Sequence, residues 1–464
     1  MTRITIIGGG ITGLATAYYL QQAIRRDGLP FSVTLLEADS RSGGKIVTHT
    51  ADGFVMEGGP DSFLTEKPEA LRLCRDLGLK ESLIPCNSAA QTVDIFRNGR
   101  LVPLPKGFRL AIPTRFGPFM ASPLISMQGK LRMAMDYFIP PRSDLSDESV
   151  ADFIGRRLGK EAVELFAGPL MAGIYVSEPE KMSIQGTFPR FVDMERQHGS
   201  LIRAALHLKR EARKRPGPRP PMFMSLRNGM AQLVEALTGV MGECIQYERT
   251  VEQLTRENNQ YVVHTANGDP TTTDAVVLAL PAPRAADLTA PLSPNIAQAL
   301  RRIRHVSTAT VSLAYREEDL PAEARLNGFG FLVPKCEGHD VLACTCSSTK
   351  FGHRAPDGHR LYRVFVGGPG REETTNLPDH DLLQLVQNEL EAFLHITTAP
   401  LHTAISRWPA GNPQYDVGHL DRMANLERET EHLPGLYLAG SAYRGIGIPD
   451  CVRDAKRVVA ALTR

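Results

Sequence analysis

Hydrophobic residues are spaced along this chain with two different periods, and the points where the period changes mark its readable elements. Ile4-Thr5-Ile6-Ile7 is a short β-prone apolar run. A glycine-rich turn follows, and then residues 11–26 place Leu14, Ala17, Tyr18 and Gln21 on one side, as a helix would, with Asp27-Gly28 as the stop. Val33-Thr34-Leu35-Leu36 predicts a second strand, ending at Glu37. Near the other terminus, Leu436-Tyr437-Leu438-Ala439-Gly440 predicts a strand, followed by the loop SAYRGIGIPD and a helix from Asp450 to about Leu462. Between the two ends, ERTVEQL around Val251 and DAVVLALPAP at 274–283 predict further buried strands.

The first turn reads Gly8-Gly9-Gly10-Ile11-Thr12-Gly13, a strand-to-helix turn with glycine at its first, third and sixth positions. Gly8 permits the tight turn, Gly10 lets the backbone approach a diphosphate, and Gly13 with Ala17 allows helix and strand to pack closely. A diphosphate would then meet free N–H groups and the positive end of the helix dipole. Glu37, followed by Ala38, stands about 20 residues further on, where a carboxylate can accept ribose hydroxyls. The same carboxylate would repel a 2′-phosphate. A glycine turn alone is equally compatible with a structural βαβ unit, and it is the acidic strand end that favours a dinucleotide.

Composition narrows the setting. The 464 residues are enough for two or three domains at roughly 150 residues each. Formal charge is +2 from 53 basic and 51 acidic residues, so no single-sign field points to nucleic acid. The basic run at 208–221 ends in prolines and is read as a solvated hinge. Cysteines at 74, 86, 244, 336, 344, 346 and 451 form no CxxC pair, which predicts neither a disulfide framework nor a metal site. Cys344 and Cys346 are expected on one buried strand face.

The uncharged stretch 4–24 superficially resembles a secretory core, but Gly8, Gly9 and Gly10 break it, so export is not expected. Residues 116–129 contain two prolines and are too short to span a bilayer. A cytoplasmic protein without a transmembrane segment is expected, with Met120, Met127, Met133 and Met135 read as core.

Beyond Glu37, Arg41-x-Gly43-Gly44-Lys45 resembles the second glycine motif of the flavoproteins that include amine oxidases, carotenoid desaturases and porphyrinogen oxidases. That resemblance implies a non-covalent FAD. It places the pyrophosphate near Gly44 and Lys45, and the flavin ring beside the turn Gly58-Gly59-Pro60 with Asp61 and Ser62. Val251 would meet adenine through its backbone, and Trp408, Gly440, Ile446, Gly447 and Ile448 would close off the flavin end. Amides near Gly447 and Ile448 would stabilise charge arising on reduction. Ser441 stands where many relatives carry Asp.

The segments GPLMAGIYVSEPEKMS at 168–183, MSLRNGMAQLVEAL at 224–237 and RWPAGNPQYDVGH at 407–419 resemble porphyrinogen oxidases. GGPDSFLTEKP at 58–68 and IPDCVRDAK at 448–456 are similar to the bacterial branch acting on coproporphyrinogen III. Departures are Asn412 and Val176-Ser177-Glu178, where that branch carries Met and Ala-Gly-Asp. The resemblance implies an α/β fold: a Rossmann-type FAD-binding domain (1–73, 240–295 and 405–464), an α+β substrate domain (74–114, 216–239 and 296–404) and a helical insertion (115–215).

It also implies oxidation of a tetrapyrrole with O2 as acceptor, and Lys67 as a substrate-facing residue without a conventional acid or base. Arg97 and Arg100 are further candidate cations for substrate carboxylates, and His419 is read as structural. Peripheral membrane contact and transient contact with the next haem-pathway enzyme stay open. So do a protoporphyrinogen IX oxidase, another amine-oxidase-like flavoenzyme and a non-enzymatic flavin or tetrapyrrole carrier.

Overall fold

A parallel five-stranded sheet carries the first turn, with strands in the order Ile245–Gln246, Phe31–Leu36, Thr2–Ile7, Ala275–Leu278 and Leu436–Leu438. The computed structural model describes residues 1–105, 107–109, 112–113, 116–144, 146–214 and 220–464. Both faces of this sheet are covered, which is why its strands read as continuous apolar runs rather than alternating ones. Ile4 and Ile6 pack against helices Ile11–Asp27, Ala231–Met241 and Ile448–Leu462. Ile7, Val276 and Leu278 pack on the other side, against the three-stranded sheet containing Leu254 and Tyr261 and against helices Ala282–Thr289 and Pro294–Arg301.

A second, seven-stranded sheet runs His402–Pro413, His305–Arg316, His359–Gly367, Val341–Cys346, Gly330–Leu332, Val93–Arg97 and Arg100–Pro103. Helix Asp379–Leu394 covers one face with Leu382, Val386, Leu390 and Phe393, and Cys344 and Cys346 lie buried in the same core. Helices between Phe116–Ala121 and Leu201–Lys214 form a third body around Phe153, Leu158 and Phe166. Inside it, the fully buried Arg157 guanidinium meets the fully buried Asp136 carboxylate at 2.5 Å. Asp136 also accepts from the Ser200 hydroxyl at 2.6 Å and the Ile202 N–H at 2.9 Å, so the pair is hydrogen-bonded on several sides.

Several boundaries differ from those expected. Helix Ala231–Met241 was expected with the substrate domain but places Leu233, Val234 and Leu237 in the core of the five-stranded sheet. Residues 405–413 were expected with the nucleotide domain, yet they pair with His305–Arg316 in the seven-stranded sheet. The last helix starts at Ile448 rather than Asp450, because Pro449 falls in the first turn, where a missing N–H costs nothing. The basic run at 208–221 begins as helix up to Lys214 rather than as a hinge, while residues 215–219, like the proposed boundaries at 114, 115 and 215, fall wholly or partly outside the described backbone and side chains.

Of the four methionines read as core, only Met133 is buried. Met127 and Met135 are 58% and 55% exposed, together with Leu131 at 62%. Their four-residue spacing turns them to one face, away from the inward face that carries Gly129, Lys130 and Met133. Met120 is exposed as well. Among the described residues no helix is long and apolar enough to cross a membrane.

Candidate functional site

The glycine turn is built as its sequence demands. Gly8 has φ +105°, and a Cβ there would lie 2.6 Å from the Ala279 carbonyl oxygen. A Cβ on Gly13 would lie 1.9 Å from the Gly8 oxygen, so the helix rests directly on the strand. Gly10 is different: it has φ −68°, and a Cβ on it would meet nothing within 4 Å. The space above Gly10 is therefore open, and the first-turn amides of Ile11, Thr12 and Gly13 have no intrahelical acceptor.

Glu37 is buried, and its carboxylate accepts the Gly9 N–H at 2.5 Å and the Asp39 N–H at 2.9 Å. These two bonds fix its plane and leave lone pairs for further donors. Ala38 is exposed beside it. Val251 begins the strand Val251–Glu257, with its carbonyl held by Arg284 at 2.7 Å.

The second glycine motif lies against the first. The Gly43 N–H donates to the Gly9 carbonyl at 2.8 Å, and a Cβ on Gly44 would stand 3.4 Å from the Gly10 Cα. The Lys45 ammonium donates to the Gly411 carbonyl at 2.5 Å. Lys45 keeps solvent-accessible area although protein crowds it closely. That crowding pulls its pKa below the ordinary lysine value. Burial, followed by the neighbouring Lys45 charge, also lowers that of His305.

The C-terminal loop is braced from behind. The Gly440 N–H donates to the buried Asp454 at 3.0 Å, and Asp454 is paired with Arg444 at 3.2 Å and Arg457 at 2.8 Å. The Tyr415 hydroxyl accepts the Gly445 N–H at 2.6 Å and donates to the Ser441 carbonyl at 2.8 Å, so at position 441 it is the backbone that is held. The His419 ring stacks on Tyr415 at 3.8 Å between centroids. Its Nε2 lies 2.9 Å from the Tyr443 carbonyl, which can only accept, so Nε2 carries the proton. Burial lowers the His419 pKa to about 4, which suits a neutral structural ring. This leaves Ile446, Gly447 and Ile448 at the start of helix Ile448–Leu462, whose Cys451 bonds to Thr12 of the first turn.

Trp408 donates from Nε1 to the Gly58 carbonyl at 2.9 Å, and a Cβ on Gly59 would sit 1.7 Å from the Lys45 carbonyl oxygen. The turn Gly58-Gly59-Pro60 thus lies between the second glycine motif and the seven-stranded sheet. Asp61 is paired with Lys350 at 2.8 Å and bonded by the Ser62 hydroxyl at 2.6 Å. Burial would raise its pKa, but Lys350 and Arg363 hold it well below the usual carboxylate range. Glu57 is raised by burial against the opposing pull of Arg354, 3.2 Å away.

Lys67 precedes helix Glu69–Asp76, and its side chain reaches the start of the last helix, with its ammonium 2.6 Å from Asp450. Asp450 is also 2.6 Å from Arg453. The nearby Tyr175 hydroxyl is pushed up to about 12 by burial and then by Asp450. Lys67 is therefore a shared charge rather than a free cation. Arg97 is paired with Glu337 at 3.1 Å at a hairpin end, and among the described residues no hydrogen bond joins it or the exposed Arg100 to the turn at Gly58.

Arg363, Lys350, Arg354, Thr310, Tyr415 and Asp454 were not expected at this site. The one local signal was Arg363, a charge inside the apolar run LYRVFVGG. Among the described residues, no group of three or more His, Cys, Asp or Glu side chains converges as metal ligands.

The open space above Gly10 and the free first-turn amides of Ile11, Thr12 and Gly13 fit a dinucleotide. Residues 11–463 match the family of flavin-containing amine oxidoreductases. The chain is 36% identical to a coproporphyrinogen III oxidase of Bacillus subtilis, covering 99% of this chain and 98% of that protein. It is 29% identical to a chloroplastic protoporphyrinogen oxidase of Arabidopsis thaliana, covering 98% of this chain and 86% of the relative. A solved structure from Exiguobacterium sp. 255-15, described as a candidate protoporphyrinogen oxidase, superposes with TM-score 0.88 at 35% identity and covers 99% of this chain and 98% of its own. A putrescine oxidase variant shares the fold at TM-score 0.70 and 17% identity, covering 100% of this chain and 99% of its own. This chain is thus an oxidoreductase belonging to the flavin-containing amine oxidoreductases, within the group whose relatives are coproporphyrinogen III and protoporphyrinogen oxidases.

Proposed function

We propose that the protein binds one FAD non-covalently and oxidises coproporphyrinogen III to coproporphyrin III, with O2 as acceptor and H2O2 as product, in haem biosynthesis in the cytoplasm. The observation that carries this reading is the 36% identity, over nearly both full lengths, with a relative named coproporphyrinogen III oxidase.

In this reading Glu37 accepts the ribose hydroxyls, the amides of Ile11, Thr12 and Gly13 hold the diphosphate, and Gly44 and Lys45 line its other side. Gly59, Pro60, Gly447 and Ile448 bound the ring. The bound flavin supplies a hydride acceptor. The protein's own work is to orient a methylene bridge of the substrate against the ring and to exclude water, because electron-rich pyrroles assist hydride loss without a strong base. Lys67 would exchange part of its pairing with Asp450 for a substrate propionate. Coproporphyrinogen carries four propionates against two on protoporphyrinogen, so more carboxylate charge must be paired or left in water when it binds, and Lys67 would be one such partner.

The test is to assay purified, flavin-loaded protein on both porphyrinogens side by side with peroxide detection. Faster turnover of coproporphyrinogen, with roughly three peroxides per porphyrin formed, supports the reading. Preference for protoporphyrinogen reassigns the substrate. Flavin binding without turnover leaves a carrier.

A further inference from the structure

We propose that Arg363 is a positioning residue for the flavin: it fixes and polarises the Gly58–Gly59 peptide so that the Gly59 N–H is aimed at the ring as a strengthened donor. This rests on the reading above, in which that turn borders the flavin.

The Gly58 carbonyl oxygen receives three donors: the Thr310 hydroxyl at 2.9 Å, Trp408 Nε1 at 2.9 Å and Arg363 Nη2 at 3.3 Å. The same guanidinium nitrogen also donates to the Gly59 carbonyl. A carbonyl oxygen offers two lone pairs, so this one is engaged beyond what burial requires. In a trans peptide the N–H points opposite to the C=O. Pulling the Gly58 oxygen toward the seven-stranded sheet therefore turns the Gly59 N–H away from that sheet. No hydrogen-bond acceptor for that N–H is present among the described residues.

The use of a charge here is the second observation. Arg363 is only 4% exposed and, among the described residues, forms no close ion pair; its hydrogen bonds go to the turn's carbonyls, while the Asp61 carboxylate is taken by Lys350. A buried guanidinium is costly, and a neutral donor would satisfy a carbonyl equally well. The charge acts on the Asp61 and Glu57 carboxylates, and it also polarises the peptides it touches, which a neutral donor would do less and which makes the far N–H a better donor. A donor aimed at the ring stabilises the negative charge that reduction places there, so the flavin becomes easier to reduce.

The test is a dye-equilibrated reductive titration of flavin-loaded wild type, R363M, R363K, T310V and T310S, with the flavin absorbance spectrum recorded alongside. At a fixed solution potential, the reduced-to-oxidised ratio is expected to fall about tenfold in R363M, the scale of one charge-assisted hydrogen bond. R363K is expected to recover part of this. T310V should shift the ratio the same way by about threefold, and T310S should match wild type. If R363M does not fold, the T310V and T310S pair decides. Flavin-loaded R363M and T310V with wild-type potentials, even with lowered thermal stability, would overturn the inference while leaving the flavoenzyme reading intact. A wild type that takes up no flavin overturns both.

Discussion

Adding a single methyl group at Gly10 or at Gly13 should separate cofactor binding from folding. Gly10 has φ −68° and ψ 174°, which any residue adopts, and its Cβ would meet nothing within 4 Å. Flavin-free Gly10→Ala should therefore be as stable as wild type or more so, by about 0.4–1 kcal/mol, because alanine restricts the unfolded chain. When the diphosphate is present the same methyl enters the space it occupies. Overpacking of this kind costs about 1–3 kcal/mol, a loss of roughly 5- to 150-fold in FAD affinity.

Gly13→Ala reverses the pattern, because its Cβ would stand 1.9 Å from the Gly8 carbonyl oxygen. Helix and strand must move apart whether or not a ligand is bound. The two quantities are measured by denaturant unfolding of flavin-free protein and by quenching of FAD fluorescence on titration. If Gly10→Ala binds FAD as wild type does, or if flavin-free Gly10→Ala loses more than about 1 kcal/mol, the reasoning fails.

Three other outcomes are expected. His419 has its pKa lowered from 6.5 to about 4, so between these values the unfolded chain binds more protons than the folded one. The stability involved is fully present above pH 6.5 and is lost as pH falls toward 4, by at most roughly 3 kcal/mol. Unfolding midpoints of wild type and His419→Gln across that range should diverge in this way, and parallel curves would count against it. Lys67→Ala should raise KM for coproporphyrinogen more than it lowers kcat, with Lys67→Arg largely restoring KM; collapse of kcat alone would make Lys67 part of the chemistry. Asp136→Ala strands the buried Arg157 and should cost about 3–5 kcal/mol in denaturant unfolding, whereas a loss below 1 kcal/mol would mean that the pair is replaced by other contacts.

The turn at Gly8–Gly13 and the acidic strand end at Glu37 were legible because everything they need is local. A strand, a turn with positive φ at Gly8, a helix start and an acidic strand end fall within the first forty residues, and each requirement selects a residue type. Glu37 was expected to face ribose; its bonds to Gly9 and Asp39 add the backbone that holds it in place. Cys344 and Cys346 were legible for the same reason, since a period of two decides which strand residues share a buried face.

The local pattern by itself determined the glycine turn, the acidic strand end and the positions of the main strands along the chain, because φ preference and hydrophobic period act between near neighbours. It misjudged Met127 and Met135, because periodicity shows which residues share a face but not whether another element covers that face. It could not show that Arg363, Thr310 and Trp408 converge on one carbonyl, since they stand 305, 252 and 350 residues from Gly58. Nor could it show that Lys67 is already paired with Asp450, across 383 residues. Those contacts exist only once two sheets and a terminal helix have packed together, and the electrostatics of the ring end are set by that packing.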